Sequence, residues 1–350
     1  MDLYDVAKPL LFRLPPETAH GIVHGGLAAV QDTPVASALA QRYAVDDDRL
    51  AVTAFGELFP NPVGVAAGFD KNAEAPGALA GLGFGHVEVG GVTAEPQDGN
   101  PRPRMFRLGD DEALVNRMGL NNEGAAVVGE RLAATDVGVP LGVNIAKTEY
   151  VDGEDAPADY RATYERVADG GDFFVVNVSC PNSEGFRELQ NRDSMEAILG
   201  ELVDAGASPL LVKLSPDLPE PAVADALEIV DDLDLDGVVA TNTTTDRPAS
   251  LRSPEAAEEG GLSGEPIENE ATRMVQFVAE RVDVPVIGIG GVSSAEGAYR
   301  KIRAGASLVQ LYTGLVYEGP TLAREINEGL IDLLAEDGFD SVEDAVGADL

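Results

Sequence analysis

The chain has 350 residues, enough for two average domains or for one α/β barrel with additions. Its 61 acidic and 24 basic residues give a formal net charge of -37, which argues against a nucleic-acid-binding surface and against electrostatic docking on anionic lipid. A single cysteine excludes an internal disulfide and a cysteine-based zinc site.

The same composition sets three further expectations. An acidic surface of this size indicates a salt-rich, halophilic cytoplasm. The histidines are His20, His24 and His86, and because His20 and His24 lack a third ligand we expect no metal site. We also expect a cytoplasmic protein, because no secretory signal and no membrane-spanning run is apparent.

The first 43 residues differ from the rest of the chain. Short helical segments are interrupted at Pro15-Pro16 and at Pro34, and their apolar positions predict one apolar face. We therefore expect an N-terminal helical cap over residues 1–45. The segment Leu50 to Phe59 then alternates around Gly56 and predicts a hairpin that could close the N-terminal end of a barrel.

Eight short apolar runs follow, and they are typical of buried parallel strands. The runs are Pro62 to Ala67, His86 to Val92, Leu141 to Ile145, Phe173 to Val178, Pro209 to Leu214, Gly237 to Ala240, Pro285 to Ile289 and Ser307 to Leu311. Most are followed by helical spacing, so we predict a (β/α)8 TIM barrel over residues 46–334, with the N-terminal helical extension before it and an acidic tail over 335–350. A doubly wound sheet with fewer strands is the alternative.

Polar residues cluster where these strands end, which is where barrel enzymes carry their chemistry. Three of the five lysines, Lys71, Lys147 and Lys213, fall at such ends. They could be ordinary ion-pair partners of the many carboxylates. Lys213, however, lies in an otherwise apolar strand, where an unpaired ammonium is costly, so we expect an anionic group to meet it.

Two further features mark the same ends. Gly288 to Gly291 and Thr313-Gly314 occupy the usual phosphate position of the fold, although tight turns alone would also need such glycines. Cys180 lies between Asn177 and Asn182 just after the fourth strand. It could be a small core residue, or a reactive thiol among amides suited to a planar polar ligand.

Taken together, these segments resemble the dihydroorotate dehydrogenases over nearly the whole chain. The matching motifs are Ala66 to Lys71, Asn116 to Asn122, Asn177 to Asn182, Ala240 to Thr244, Gly260 to Gly264 and Gly288 to Gly291. The cap, with Leu14 to His20, is similar to that of the membrane-associated, quinone-linked class 2 branch, where it forms an apolar funnel to the flavin.

The resemblance implies FMN as cofactor and a set of residues that bind it. These are Ala67, Gly68, Gly91, Asn144, Asn177, Lys213, Thr241, Gly264, Gly291, Tyr312 and Thr313. It implies that dihydroorotate or orotate meets a second set. These are Lys71, Asn116, Arg117, Met118, Gly119, Leu120, Asn177, Asn182, Asn242 and Thr243.

By the same resemblance, Cys180 is the catalytic base, FMN accepts hydride, and a quinone reoxidises it in de novo pyrimidine (UMP) biosynthesis. The enzyme would contact the cytoplasmic face of the cell membrane peripherally through its cap. Two positions depart from the class 2 pattern: cysteine replaces the usual serine at 180, and Gly91 replaces a threonine. The class therefore depends on the cap.

Three alternatives remain at this stage. A soluble class 1 enzyme would use fumarate or NAD in place of quinone, and cysteine at the base position is typical of that class. A barrel aldolase or isomerase would use Lys213 as a Schiff base and bind a sugar phosphate at the glycines. A non-catalytic ligand-binding barrel would leave the thiol, lysines and asparagines at one rim unexplained.

Overall fold

The computed structural model describes residues 3–31, 33–178, 189 and 191–350. Its strands are β1 Val52–Ala54, β2 Glu57–Phe59, β3 Val63–Val65, β4 His86–Val92, β5 Met105–Leu108, β6 Ala113–Asn116, β7 Leu141–Ile145, β8 Phe173–Asn177, β9 Leu210–Leu214, β10 Gly237–Ala240, β11 Gly261–Gly264, β12 Val286–Ile289 and β13 Leu308–Leu311.

In the described part of the chain, three helices precede the strands and further helices follow the barrel strands. They are α1 Leu3–Leu11, α2 Pro16–Val30, α3 Pro34–Tyr43, α4 Pro76–Ala80, α5 Ala125–Ala133, α6 Ala156–Val167, α7 Arg192–Asp204, α8 Glu220–Asp232, α9 Glu268–Ala279, α10 Ala295–Arg303, α11 Thr313–Glu318, α12 Leu322–Asp337 and α13 Val342–Ala345.

Eight parallel strands close into a barrel in the order β3-β4-β7-β8-β9-β10-β12-β13, and β13 pairs with β3. These strands are the eight predicted apolar runs, so the TIM barrel prediction is confirmed. The runs are apolar because helices cover the outside of the barrel while side chains fill the inside, leaving most strand residues buried. Every residue of β7, β8 and β9 is buried, for example.

A second sheet, absent from the sequence-based prediction, lies above the carboxyl end of the barrel. Strands β5 and β6 form an antiparallel pair, and β11 joins β6 in the order β11-β6-β5. Leu108, Val115 and Leu262 pack with Ile267 in a small apolar cluster of their own. This sheet forms a wall over the barrel mouth.

The predicted hairpin is present as β1 and β2, which pair antiparallel from Val52 to Phe59. Its aromatic rings pack against the barrel's N-terminal end: Phe55 lies 5.9 Å from Phe173, and Phe59 lies 5.4 Å from His86, between ring centroids. The hairpin thereby closes the end of the barrel opposite the polar strand ends.

Helix α2 packs against β5 of the second sheet, and α2 and α3 both pack against α4. Glu17, in the first turn of α2, accepts hydrogen bonds from buried Arg104 at 2.8 Å and contacts Arg102 at 3.0 Å. At the other end of the chain, α12 runs to Asp337 and α13 follows, with Val342 and Ala345 buried against the core. Among the described residues, no helix is both long and apolar enough to cross a membrane.

Candidate active site

A cavity opens at the carboxyl ends of the barrel strands, beneath the second sheet. It brings together residues from most of the predicted strand ends, although they are far apart in the chain. Its lining includes Ala66, Ala67, Gly68, Lys71, Gly90, Gly91, Asn116, Met118, Gly119, Leu120, Asn121, Asn144, Asn177, Lys213, Thr241, Asn242, Thr243, Ser263 and Tyr312. We call it the central cavity.

Two lysines reach the central cavity from different strands. Lys213, on β9, is 6% exposed, and no hydrogen bond or ion pair among the described residues involves its ammonium. Lys71 donates a hydrogen bond from Nζ to the Gly68 carbonyl at 2.7 Å, and burial lowers its pKa to about 8. A buried cation facing a cavity is stabilised by an anionic or electron-rich ligand.

Three asparagine amides cross the floor of the central cavity as a hydrogen-bonded row. Asn177 donates from Nδ2 to Oδ1 of Asn144 at 3.2 Å, and Asn242 donates from Nδ2 to Oδ1 of Asn177 at 3.3 Å. The Tyr160 hydroxyl donates to the Asn177 carbonyl at 2.8 Å and fixes the end of β8. Such a row of amides is suited to the edge of a planar ring with its own donors and acceptors.

A second cavity adjoins the first at the ends of β12 and β13, and both share Ser263, Ile289, Gly290 and Tyr312. Its lining includes Gly264, Gly291, Thr313 and Gly314, and Ser263 Oγ lies 2.8 Å from Thr313 Oγ1. Among the described lining residues there is no lysine or arginine, so an anion here would depend on backbone N–H groups and hydroxyls.

The backbone at this second cavity needs glycine for a steric reason. Gly264 and Gly291 have φ angles of +107° and +75°, in the region that side chains disfavour. A Cβ at Gly291 would stand 2.4 Å from Glu268 Cα, and one at Gly264 would stand 2.4 Å from the Glu112 carbonyl oxygen. The two glycines are therefore needed by the packing of these loops against Glu268 and Glu112.

A third, apolar cavity lies between the N-terminal helices and the barrel. Its lining includes Leu11 of α1, Phe12 directly after that helix, and Val23 and Leu27 of α2. Arg107 is its one arginine or lysine among the described lining residues. Met105, Leu114 and Tyr312 line both this cavity and the central cavity, so one layer of side chains separates the two.

Aromatic rings form the wall at the junction of the apolar and central cavities. The His20 ring, on α2, lies 5.0 Å from Phe69 and 6.4 Å from Tyr312, between centroids. Burial lowers the pKa of His20 to about 3, so its imidazole is neutral at physiological pH. The wall is therefore uncharged at this point, which favours an apolar ligand beside it.

Several residues singled out from the sequence lie elsewhere. Arg117 does not line the central cavity: its guanidinium pairs with Glu258 at 3.0 Å and lies over the Phe106 ring. Lys147 is buried and donates to backbone carbonyls of its own loop, including that of Thr148 at 2.9 Å. Cys180 and Asn182 lie outside the described residues.

Some lining residues were not assigned from the sequence. Ser263 and Asn121 fall inside quoted motifs without having been given a role, and Met105 and Leu114 belong to the second sheet. The motif containing Ser263 could have revealed it, because its hydroxyl sits one residue from Gly264. The two apolar residues carry no chemical signal, since only the tertiary fold brings them to the cavity.

His24 also has neighbours that the sequence did not indicate. Its Nε2 lies 3.3 Å from an Asp70 oxygen and its Nδ1 lies 3.8 Å from a Glu74 oxygen, so three possible ligand atoms come within 4.8 Å. The Asp70 oxygens, however, accept backbone N–H bonds from Asn72, Glu74 and Ala75. That carboxylate is used to fix the loop after β3.

The fold and these cavities define a class: a barrel enzyme with an amide-lined, lysine-bearing site for a planar ligand, a neighbouring anion position and an apolar side chamber. A family model described as dihydroorotate dehydrogenase matches residues 49–334. The chain belongs to the dihydroorotate dehydrogenase family.

Individual relatives agree with that assignment. A protein of Haloarcula marismortui described as dihydroorotate dehydrogenase (quinone) is 76% identical over 347 residues, covering 99% of each chain. One of Natronomonas pharaonis with the same description is 67% identical over the whole of both chains. These descriptions support the class 2 branch, and the halophilic sources fit the acidic composition.

A solved structure is also similar. The ligand-free dihydroorotate dehydrogenase of Eimeria tenella superimposes with a TM-score of 0.89 at 38% identity, covering 95% of this chain and 99% of that one. A second structure from that organism, in complex with ferulenol, gives a TM-score of 0.85 at 37% identity.

The family uses FMN, and the residues present fit it. The central cavity offers amides and a buried ammonium for a planar, electron-poor ring. The second cavity offers glycine backbone and the hydroxyls of Ser263, Ser293 and Thr313 for a phosphate.

Proposed function

We propose that this chain is a quinone-linked dihydroorotate dehydrogenase, which oxidises (S)-dihydroorotate to orotate with FMN in pyrimidine biosynthesis. The observation that carries the proposal is the shared wall: Met105, Leu114 and Tyr312 separate an amide-lined polar cavity from an apolar one. A polar substrate and an apolar electron acceptor thus have separate, adjoining sites. The division into a cap over 1–45, a barrel over 46–334 and a tail over 335–350 belongs to this proposal.

The FMN ring is assigned to the floor of the central cavity, and its phosphate is assigned to the adjoining second cavity. The chemistry that FMN supplies when bound is acceptance of a hydride from carbon 6 of dihydroorotate and transfer of two electrons to a quinone. Lys213 would stabilise negative charge that develops on the ring. The remaining contacts fall to Ala67, Gly68, Gly91, Asn144, Asn177, Thr241 and Tyr312 around the ring, and to Gly264, Gly291 and Thr313 around the phosphate.

The substrate is assigned to the opposite side of the central cavity. Lys71 supplies a cation for the carboxylate, and Asn116, Asn177 and Asn242 supply amides for the ring edges. Met118 to Leu120 and Thr243 complete the lining, and the Asn182 contact stays a prediction from the resemblance. Arg117 is left without a direct contact, because its side chain pairs with Glu258.

The base is assigned to Cys180. Its sulfur would take the proton from carbon 5 as hydride leaves carbon 6, so that a carbon–carbon double bond forms in the ring. A thiol has an ordinary pKa of about 8.5 and is closer to a working base than a serine hydroxyl. The assignment comes from the sequence: β8 ends at Asn177, three residues before this thiol.

The quinone is assigned to the apolar cavity. Its lining is mostly apolar, and Arg107 is the charged residue among its described lining residues. Arg107 donates a hydrogen bond to the Phe12 carbonyl at 3.1 Å, and its guanidinium lies 4.1 Å from the Phe12 ring centroid. The wall shared with the central cavity leaves only a short distance for electron transfer. The class 1 alternative gives this cavity no purpose.

Membrane contact is assigned to the outer face of the cap. Val6, Leu10, Ile22 and Val35 are 51% to 63% exposed, which is unusual for large apolar residues from three consecutive helices. The net charge of -37 opposes an anionic bilayer, so attachment would depend on apolar contact and on screening by salt. We place the enzyme on the cytoplasmic face of the cell membrane.

The acceptor is tested by comparing oxidants on the purified enzyme. We expect dihydroorotate-dependent turnover with a short-chain quinone and little with fumarate or NAD. Deleting Met1 to Tyr43 should impair quinone reduction far more than reduction of an artificial dye, because the dye does not need the apolar cavity. Equal loss with both acceptors, or turnover with fumarate or NAD alone, would contradict the assignment.

A further inference from the structure

Glu88 is a buried carboxylate that none of the assigned roles uses. It is the third residue of β4, its side chain is 0% exposed, and it lies inside the barrel without lining the central cavity. Its Oε1 accepts from Asn144 Nδ2 at 2.7 Å, and its Oε2 accepts from Gln310 Nε2 at 2.8 Å. Among the described residues, no lysine or arginine forms an ion pair with it.

The contact with Glu88 fixes which way the Asn144 amide faces. A carboxylate offers acceptors and no N–H, so the nitrogen of Asn144 must face Glu88 and its oxygen must face away. That oxygen accepts from Asn177 Nδ2, and the Asn177 oxygen accepts from Asn242 Nδ2. The Asn242 oxygen in turn accepts the Thr243 backbone N–H at 2.8 Å. The four side chains form one row with a single polarity.

Reversing any amide in this row would set two N–H groups or two oxygens against each other. Such an unmatched pair is costly at the buried residues Asn144 and Asn177, which are 0% and 7% exposed. A reversal at Asn144 would therefore propagate to Asn177 and Asn242. The atoms that these amides present to the central cavity depend on the acceptor at one end of the row, Glu88, and on the Thr243 backbone N–H at the other.

We propose that Glu88 is a positioning residue that sets the orientation of the Asn144, Asn177 and Asn242 amides and thereby the affinity for orotate. The inference rests on the proposed function, because the readout is binding of a pyrimidine at Asn177 and Asn242. Glu88 acts through hydrogen-bond direction, and its negative charge is not the active feature.

Two substitutions separate direction from charge. Glu88→Met keeps the length of the side chain and removes both acceptors, so the row is no longer fixed at the Asn144 end. Glu88→Gln removes the charge but can keep the direction. Gln310 Oε1 is buried without a partner among the described residues, so Gln310 can turn over and accept from the new amide. The new amide oxygen then still accepts from Asn144.

The measurement is the orotate Kd of the purified holoenzyme, taken from the change in flavin absorbance on titration, with FMN content and thermal unfolding recorded for each variant. We expect Glu88→Met to weaken orotate about tenfold or more and Glu88→Gln to stay within about threefold of the wild-type Kd. A wild-type Kd in Glu88→Met would overturn the proposal. So would equal weakening in both variants, because charge would then be the active feature.

A second pair keeps the test decisive if Glu88→Met does not fold. Asn144→Asp sets two carboxylates against each other and should weaken orotate about tenfold or more. The double variant E88Q/N144D exchanges the two groups: the new amide donates to the new carboxylate, which still accepts from Asn177. We expect the double variant to recover most of the affinity. A double variant no better than Asn144→Asp would overturn the proposal.

A matched control is available in Asn327, another fully buried amide, which lies on α12. It donates a hydrogen bond to the Gly83 carbonyl at 3.3 Å. Asn327→Leu should lower the unfolding temperature and leave the orotate Kd unchanged. Weakening by this control would assign the Glu88 effect to general destabilisation and overturn the proposal. Failure of the proposed function looks different, because the wild-type protein itself would then show no response to orotate.

Discussion

Lys71 gives the central cavity a pH dependence that can be worked out from the structure. Burial lowers its pKa to about 8 from an ordinary value near 10.5, and its Nζ donates to the Gly68 carbonyl. Only the protonated ammonium attracts the carboxylate of orotate. Affinity for orotate should therefore be present below pH 8 and fall as the pH rises through that value.

The magnitude follows from the fraction of Lys71 that is protonated. With a pKa of about 8, that fraction is about nine-tenths at pH 7 and about one-tenth at pH 9. The orotate Kd should accordingly rise about tenfold between these values. A charge-assisted hydrogen bond contributes about 1.5–3 kcal/mol, so Lys71→Met should weaken orotate about 10- to 100-fold at pH 7.

The assay is titration of the holoenzyme with orotate, followed by flavin absorbance, at several pH values from 7 to 9. Lys71→Met reports any pH dependence that comes from the ligand itself. Cys180→Ala reports the contribution of the thiol, whose ordinary pKa of about 8.5 lies in the same window. A wild-type Kd that stays constant over this range, or a rise that persists in Lys71→Met, would refute the reasoning.

Three further predictions concern the base, the cap and the core. Cys180→Ala should slow flavin reduction by dihydroorotate about 100- to 10,000-fold in stopped flow, and near-normal reduction would reject this residue as the base. Replacing Leu10 and Ile22 with serine should reduce co-sedimentation of the protein with neutral phosphatidylcholine vesicles at high salt. Reduction of an artificial dye should stay unchanged. Unchanged co-sedimentation would argue against the cap as the face that contacts the membrane. Burial lowers the pKa of Lys301 to about 7. Between pH 7 and about 10 the folded state therefore binds fewer protons than the unfolded state. The free energy of unfolding accordingly rises with pH over this range. Lys301→Met should therefore raise the unfolding temperature by a few degrees at pH 7 and by less at pH 10, and a larger gain at pH 10 would contradict this sign.

The barrel could be predicted from the sequence because each strand is buried on both faces. An apolar run such as Leu141 to Ile145 is then a direct signal, and its bounds agree with β7. The second sheet gave no such signal. Its strands are four residues long and include polar residues such as Arg107 and Ser263, and their pairing joins β6 to β11 across nearly 150 residues.

The site was predictable where chemistry is concentrated at strand ends, as at Lys213 and Asn242. The site was less predictable where the direction of a side chain decides whether it reaches the cavity. Asn116 and Arg117 are neighbours in one motif, but successive side chains of an extended segment point to opposite sides, so only Asn116 reaches the cavity. The role of Glu88 could not be predicted from the sequence for a related reason. Its hydrogen-bond partners, Asn144 and Gln310, lie on other strands, and only the fold brings them beside it.

The most direct test of the central claim is the visible absorbance spectrum of the protein purified with FMN, taken before and after anaerobic addition of dihydroorotate. We expect flavin bands that bleach when dihydroorotate is added and return when a quinone is supplied. A protein that holds no flavin, or flavin bands that dihydroorotate leaves unchanged, would contradict the account.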